Sequence, residues 1–389
     1  MKRLLLLSSE FPPGPGGIGT HAHQLALYLT QLGWEVQTLT LQDYMTSEEV
    51  VLFNATQKFK IITLPRTRNR LRDLLRRWTC LFETIKNWKP SLLVVTGDRQ
   101  VWLAAIMQFF IKLARPPHTV NWCAIWHGVI PAFFPVRQFG VWAFNQADMI
   151  ISVSQYSQEQ LLKMGVRPKR QMVIENGADH HQYYPDPDGG TKFLKNLNLE
   201  ASNILLTVGH VSERKGQDLV IRALPEIIKN ISNVHYLMVG LPTIQGQLEK
   251  LALELGVSAH VHFMGRLDIQ MLNAAYNACD IFVLTSRHGN NGEFEGYGIV
   301  VVESALCAKP AVVAGNSGLA EAVVNGQTGF VIPENDPHAA AQAIRKLLMD
   351  PAQKKQMGEH ARQRALKEQT WSICMSRYDQ ALRQLETTA

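Results

Sequence analysis

Two glutamates separated by seven residues, Glu295 and Glu303, bracket the stretch EGYGIVVVE. Gly296 and Gly298 let the chain bend sharply there, and the first N–H groups of the helix that follows, near Ile299 and Val300, are placed to hold an anion with help from the helix dipole. Glu303 stands inside the apolar run IVVVESALCA, which Lys309-Pro310 stops. A carboxylate there needs a hydrogen-bond donor, and ribose hydroxyls would serve; the alternative is a solvent-facing position, which a helix apolar nearly all round disfavours.

Other segments offer related chemistry. In GHVSERKGQDLVIRAL (209–224), Arg214 and Lys215 precede Gly216 and a helix. Cations there can neutralise a diphosphate leaving group, although such pairs are ordinarily solvated surface charges. Near the start, Gly14, Gly16 and Gly19 match the spacing GxGxxG of a dinucleotide site. The strand ends near Ser9, however, Pro12-Pro13 intervenes, and Asp43 is the nearest acidic candidate at the end of a second strand. The same loop could instead admit a phosphate or sugar to backbone N–H groups, or be a plain strand-helix turn. His127 in IWHGVI is a strand-end histidine before glycine, able to reach a crevice or to sit in a core. His21/His23 and His180/His181 lack partners at ligand spacing and read as solvent-exposed. Asp186-Pro187-Asp188 has the form of a DxD metal signature, but in a Pro/Gly-rich segment it reads as a turn.

These residues must be positioned by a larger frame. A length of 389 residues with 46% hydrophobic content exceeds one core, so two domains are expected. Short apolar runs alternate with helical patterns: LLLLSS (4–9), EVQTLTL (35–41), LLVVTG (92–97), MIISVS (149–154) and MVIENG (172–177) in a first series. After a polar, Pro/Gly-rich stretch (183–203) that reads as a linker come ILLTVG (204–209), VHYLMVG (234–240), HVHFMG (260–265), DIFVLTS (280–286), AVVAG (311–315) and GFVIP (329–333). Such alternation predicts two doubly wound parallel sheets, with ligands beyond the carboxyl ends of the strands.

The net charge of +6 is local, because Lys58 to Lys89 holds ten basic residues against Asp73 and Glu83. In 65–89, Leu71, Leu74, Leu75, Trp78, Leu81, Phe82 and Ile85 recur at helical spacing between arginines. That pattern fits a helix lying on an anionic membrane surface, and equally a core-facing helix with a solvated basic back. No nucleic-acid-binding motif accompanies the charge. Five scattered cysteines suit a reducing compartment, MKRLLLL is too short for a signal peptide and reads as a buried strand, and Val101 to Leu113 is too short to span a membrane. A cytoplasmic protein, or one peripheral on the inner membrane face, is expected.

The ordered segments PPGPGGIGTHAHQLA, ISVSQYSQEQL, VIENGADHHQYYP, TVGHVSERKGQDLVIRAL, VHFMGRL, YNACDIFVLTSR and EGYGIVVVESALCAKPAVVAGNSGLAEAVVNGQTGFVIP resemble the retaining glycosyltransferases of family 4. The resemblance implies the GT-B fold, two Rossmann-like domains facing a central cleft, with 1–187 for the acceptor, 188–370 for the donor and 371–389 returning to the first domain. It implies a nucleotide-sugar donor and no metal or other cofactor. By it Glu295 contacts sugar hydroxyls, Glu303 the ribose, Lys215 the diphosphate, Gly16 and Gly17 the donor phosphate or acceptor, and His127 the transferred sugar. Gly298, Ile299 and Val300 supply N–H groups, and Arg266 of VHFMGRL joins the donor set. Where the family has a permanent cation, this chain has His210, for which Arg214 could compensate. The form EGYGIV is most similar to mannosyltransferases acting on phosphatidylinositol mannosides, so a mannose- or glucose-type hexose and a lipid-linked, cell-envelope or saccharide acceptor are implied. Alternatives are a nucleotide-sugar epimerase or nicotinamide enzyme on a double-Rossmann plan, and a non-catalytic nucleotide-sugar-binding protein.

Overall fold

The computed structural model describes residues 2–387 except 15, 43–44, 66, 68, 114–119, 129–134 and 290–291. The chain divides into two compact units, residues 1–175 with 372–389, and residues 176–371.

The first unit is built on β1 (Lys2–Ser8), β2 (Trp34–Gln42), β3 (Lys60–Pro65), β4 (Leu92–Thr96), β5 (Asn121–Trp126), β6 (Met149–Ser152) and β7 (Gln171–Val173). Every pairing is parallel and the order is β3-β2-β1-β4-β5-β6-β7. Strands β1 and β4 read as continuous apolar runs because a parallel sheet is covered on both faces, and Leu4–Leu7 and Leu92–Val95 are accordingly buried. The sequence reading lacks β3 and β5. KIITLP is short and flanked by charge, and NWCAIW reads as a preamble to His127, so neither announces a strand by itself.

The second unit contains β8 (Asn203–Val208), β9 (Val234–Val239), β10 (Val261–Gly265), β11 (Ile281–Leu284), β12 (Ala311–Ala314) and β13 (Gly329–Ile332). All six strands read from the sequence are present, parallel, in the order β10-β9-β8-β11-β12-β13. Both units therefore have the Rossmann-like strand order, which reverses direction between β1 and β4 in one and between β8 and β11 in the other.

Two expectations need correction. The segment 183–203 is not a structureless linker, since a helix runs Pro187–Leu197. The Asp186 carboxylate accepts from the Gly189 N–H at 3.0 Å and Pro187 takes the first turn, so the residues that look like breakers begin a helix. Asp186 is thus a helix cap. The units also separate at 175/176 and not at 187/188. Residues 176–186 belong to the second unit because the Tyr184 and Asp186 N–H groups donate to the Asn273 and Asn277 side chains at 3.2 and 2.7 Å. Partners so remote in sequence leave no mark in local composition.

The last helix, Trp371–Glu386, packs within the first unit. Trp34 Nε1 donates to Asp379 at 2.7 Å, Asn121 Nδ2 to the Leu385 carbonyl at 2.8 Å, and Tyr378 Oη lies 3.1 Å from His21 Nε2. His21 is completely buried by these contacts, against the reading of it as solvent-exposed.

Candidate functional site

The strand ends of the second unit bring Glu295, Lys215 and Arg214 together. One oxygen of Glu295, Oε2, accepts from Lys215 Nζ at 2.6 Å and from Arg214 Nη1 at 3.0 Å. Burial alone would raise this carboxyl, but the charges and hydrogen bonds of the two cations outweigh it and hold Glu295 at about 2. The loops carrying them, after β8 and β11, are stitched by main chain. Thr285 Oγ1 donates to the Gly216 carbonyl at 2.7 Å, and the Arg287 N–H to the Arg214 carbonyl at 2.8 Å. Gly216 has φ +72°, and a Cβ there would stand 2.0 Å from the Thr285 carbonyl oxygen, so only glycine allows the loops to approach. The Arg287 guanidinium bonds Asp218 on the next helix, an additional brace the sequence did not signal.

Gly298 precedes the helix Ile299–Leu306 with φ +87°, and a Cβ at that position would collide with Leu319. The bend inferred from the glycines is therefore real, and Ile299 and Val300 open the helix as expected. Glu303 is not solvent-facing. Its Oε2 accepts from Tyr276 Oη at 2.6 Å, with a weaker pull from the Tyr183 hydroxyl, while burial pushes the carboxyl up to about 7. The sequence called for a hydrogen-bond donor to this glutamate but not for a tyrosine. Asn290 and Asn291 of the preceding loop lie outside the described residues.

His210 and Arg266 lie exposed at the ends of β8 and β10. Partial burial, and then the nearby charges of Lys215, Arg214 and Arg266, lower the His210 imidazole, which is neutral at neutral pH. Positive charge around His210 thus comes from these three neighbours and not from the imidazole.

In the first unit His127 follows β5 and Asp98 follows β4. His127 Nε2 lies 2.9 Å from Thr96 Oγ1 and its ring meets His21 edge-on at 5.1 Å. Burial lowers His127 to about 4. Asp98 opens the helix Asp98–Leu113, and burial, partly countered by Arg99, raises it to about 7. Sequence reasoning missed Asp98, because a lone acid after TG at a strand end has no spacing partner. Gly16 and Gly17 lead into the helix Gly17–Gln31, which has no side-chain cap and no acid in its first turn. Gly16 has φ +141°, and a Cβ on it would stand 2.1 Å from Glu10 Oε2, so this glycine makes room for the Glu10 side chain.

The basic block forms the helix Arg70–Trp88, with Asp73 accepting from the Thr67 N–H and hydroxyl at its start. Leu81 is buried, whereas Leu74, Leu75 and Phe82 are 45–57% exposed beside the exposed Arg72 and Arg76. The Leu71 side chain lies outside the described residues. Phe109 and Phe110 of the next helix are also exposed, and Phe110 meets Trp78 edge-on at 5.8 Å. The apolar stripe is therefore wider than the core uses. Among the described residues, no helix is long and apolar enough to cross a membrane.

Comparison with known proteins follows the same division. Residues 15–182 match the family described as Glycosyltransferase Family 4, and residues 191–364 that described as Glycosyl transferases group 1. The chain is 26% identical over 378 residues to a GDP-mannose-dependent alpha-(1-6)-phosphatidylinositol monomannoside mannosyltransferase of Mycolicibacterium smegmatis, covering 95% of each. It is also 26% identical over 403 residues to a glycogen synthase of Mycobacterium tuberculosis, covering 95% of this chain and 91% of the relative. In fold it is similar to Anabaena HepE in complex with UDP and glucose (TM-score 0.83, 20% identity, 99% of this chain and 100% of the other). It is similar too to the sucrose-phosphate synthase of Thermosynechococcus elongatus (TM-score 0.80, 22% identity, all of both chains).

Proposed function

Because the chain belongs to the glycosyltransferases of family 4, with the GT-B fold, we propose that it transfers a mannose- or glucose-type hexose with retention of configuration and without a metal ion. The observation that carries this reading is the Glu295–Lys215–Arg214 constellation at the reversal point of the second sheet. Lys215 has further N–H donors beyond the one given to Glu295, and Arg214 likewise. These, with Arg266 and the N–H groups at Ile299 and Val300, would stabilise the departing diphosphate, the charge that develops as the glycosidic bond breaks. Glu295, ionised at any working pH, would accept hydrogen bonds from the donor-sugar hydroxyls, and Glu303 from the ribose. Gly16 and Gly17 would give a phosphate or acceptor close access to backbone N–H groups. The acceptor hydroxyl would attack from the face the diphosphate leaves, so no side chain becomes covalently attached.

For the acceptor we propose a lipid-linked saccharide such as a phosphatidylinositol mannoside, taken up by the first unit at the inner membrane face. The mannosyltransferase relative and the exposed Leu74, Leu75 and Phe82 beside Arg72 and Arg76 support this choice. His127, neutral at neutral pH, suits contact with a sugar and not with a phosphate. The test is a panel of GDP-, UDP- and ADP-sugars with such an acceptor, following nucleotide diphosphate release and the anomeric configuration of the product, with and without EDTA. Turnover of one donor, retention and indifference to EDTA are expected. Inversion, or loss of turnover with EDTA, overturns the mechanism, and stabilisation by NAD without binding of any sugar nucleotide overturns the function.

A further inference from the structure

The surroundings of Glu303 do more than leave a carboxylate free for a ribose. Tyr276 is completely buried and donates to Oε2 at 2.6 Å, at the short end of hydroxyl–carboxyl hydrogen bonds. Behind it the Tyr183 ring packs edge-on at 5.5 Å. Tyr276 lies on the helix Ile269–Ala278, whose Asn273 and Asn277 side chains grip the backbone of Tyr184 and Asp186. The same clamp that ties residues 183–186 into this unit therefore fixes Tyr183 against Tyr276, and Tyr276 against Glu303.

We propose that Tyr276, backed by Tyr183, is a positioning residue for donor binding: it holds Oε2 of Glu303 so that the other oxygen faces the ribose hydroxyls, and it favours the ionised form that accepts from them. The proposal rests on the assignment of Glu303 to the ribose. The titratable groups facing Glu303 are Tyr276 from its helix, Tyr183 from the crossover segment and Cys307 one turn on; Asp179 lies beyond Tyr183. Burial pushes both tyrosines upward, so they remain protonated donors throughout the useful pH range. Burial opposes the ionised glutamate and the tyrosine bonds support it, leaving the balance near neutrality. Loss of the Tyr276 bond would move that balance to higher pH.

The experiment is calorimetric titration of the whole chain with GDP-mannose and UDP-glucose between pH 6 and about 8.5, below the range in which the bases titrate. Neither diphosphate diester gains or loses a proton in that range, so a change in affinity reports the protein. Wild type should bind one donor more tightly as pH rises through about 7. Tyr276→Phe should weaken binding about tenfold at pH 7 and move the midpoint upward by roughly a unit, the loss expected for one hydrogen bond to a charged group. Tyr183→Phe, which keeps the ring packing, should shift the midpoint in the same direction by less, and it tests the idea if Tyr276→Phe does not fold. A 2′,3′-dideoxy nucleotide diphosphate, which lacks the ribose hydroxyls, should bind Tyr276→Phe and wild type equally. Wild-type binding with an unmoved midpoint in both variants, or equal weakening for the dideoxy nucleotide, overturns the positioning role. Failure of wild type to bind either donor overturns the functional reading instead.

Discussion

The two units share a strand order and differ in what they place at the carboxyl ends of their strands. At the ends of β8 and β11 stands a charged cluster, with Glu295 held at about 2 between Lys215 and Arg214. At the ends of β4 and β5 burial works against charge, lowering His127 to about 4 and raising Asp98 to about 7, so the imidazole is neutral and the carboxyl only partly ionised at neutral pH. Fixed charges cost desolvation unless they meet opposite charge, and such a cluster suits a diphosphate; buried neutral donors and acceptors suit hydroxyl groups. A common scaffold is thus specialised by side chains at one end of the sheet, which is why strand order alone identifies the fold and not the ligand.

The strongest way to break this contrast is Glu295→Ala. Removing the carboxylate leaves Lys215 and Arg214 without their partner and, on the proposed assignment, the donor sugar without a hydrogen-bond acceptor. Transfer should fall by about a thousandfold or more in kcat/KM, the scale of losing a group that acts on the reacting centre, while far-ultraviolet circular dichroism stays unchanged. Activity within a few-fold of wild type would remove the charged cluster from the chemistry.

A second change addresses the first unit. Replacing Arg72, Arg76 and Arg77 by Gln should reduce cosedimentation with vesicles containing anionic lipid by about 3 kcal/mol in binding free energy, at about 1 kcal/mol for each basic residue near the surface. Donor affinity in the second unit should not change. Equal sedimentation before and after would make the exposed Leu74, Leu75 and Phe82 incidental.

Gly216→Ala probes how closely the charged loops must approach. With φ +72° and a Cβ 2.0 Å from the Thr285 carbonyl oxygen, the substitution should destabilise the second unit by about 2 kcal/mol in urea titrations, since backbone must move and not a side-chain tip. A neutral result would mean that the loop relaxes freely.

The second unit was the more legible in the sequence, for a physical reason. Its six strands are apolar runs, five of them meeting a glycine at one end, and Gly216 and Gly298 beside the site residues are required by backbone geometry, so chemistry and conformation mark the same positions. Less could be read in the first unit. β3 is flanked by charge, Asp98 has no spacing partner, and His21 is covered by His127 and by Tyr378, which arrives from the far end of the chain. The same holds for the boundary at 175/176, which depends on Asn273 and Asn277. Local pattern reports local backbone needs, while burial of an isolated polar residue is decided by elements hundreds of positions away.

The smallest effect separates the units by acid, and its sign follows from the direction of each shift. His127 titrates at 6.5 when exposed and at about 4 when folded. In that interval the unfolded chain binds a proton that the folded first unit refuses, so stability is undiminished above 6.5 and falls as pH drops toward 4. Glu303 does the reverse. Its folded value of about 7 lies above the ordinary 4.5, so the folded second unit holds a proton that the unfolded chain has released, and its stability rises as pH falls from about 7 to 4.5. Glu295 adds nothing in this window, because it is ionised in both states above 4.5 and its contribution fades only as pH approaches 2. In the first unit Asp98, raised to about 7, acts as Glu303 does, whereas His21 and His23, lowered by burial, act with His127. Between pH 6.5 and 4.5 the first unit should therefore lose protection relative to the second in hydrogen exchange read by mass spectrometry. His127→Asn should shift the first unit's response toward greater stability at the acid end and leave the second alone. Parallel loss in both units, unaffected by that substitution, would mean that the neutral and charged strand ends do not set their separate stabilities.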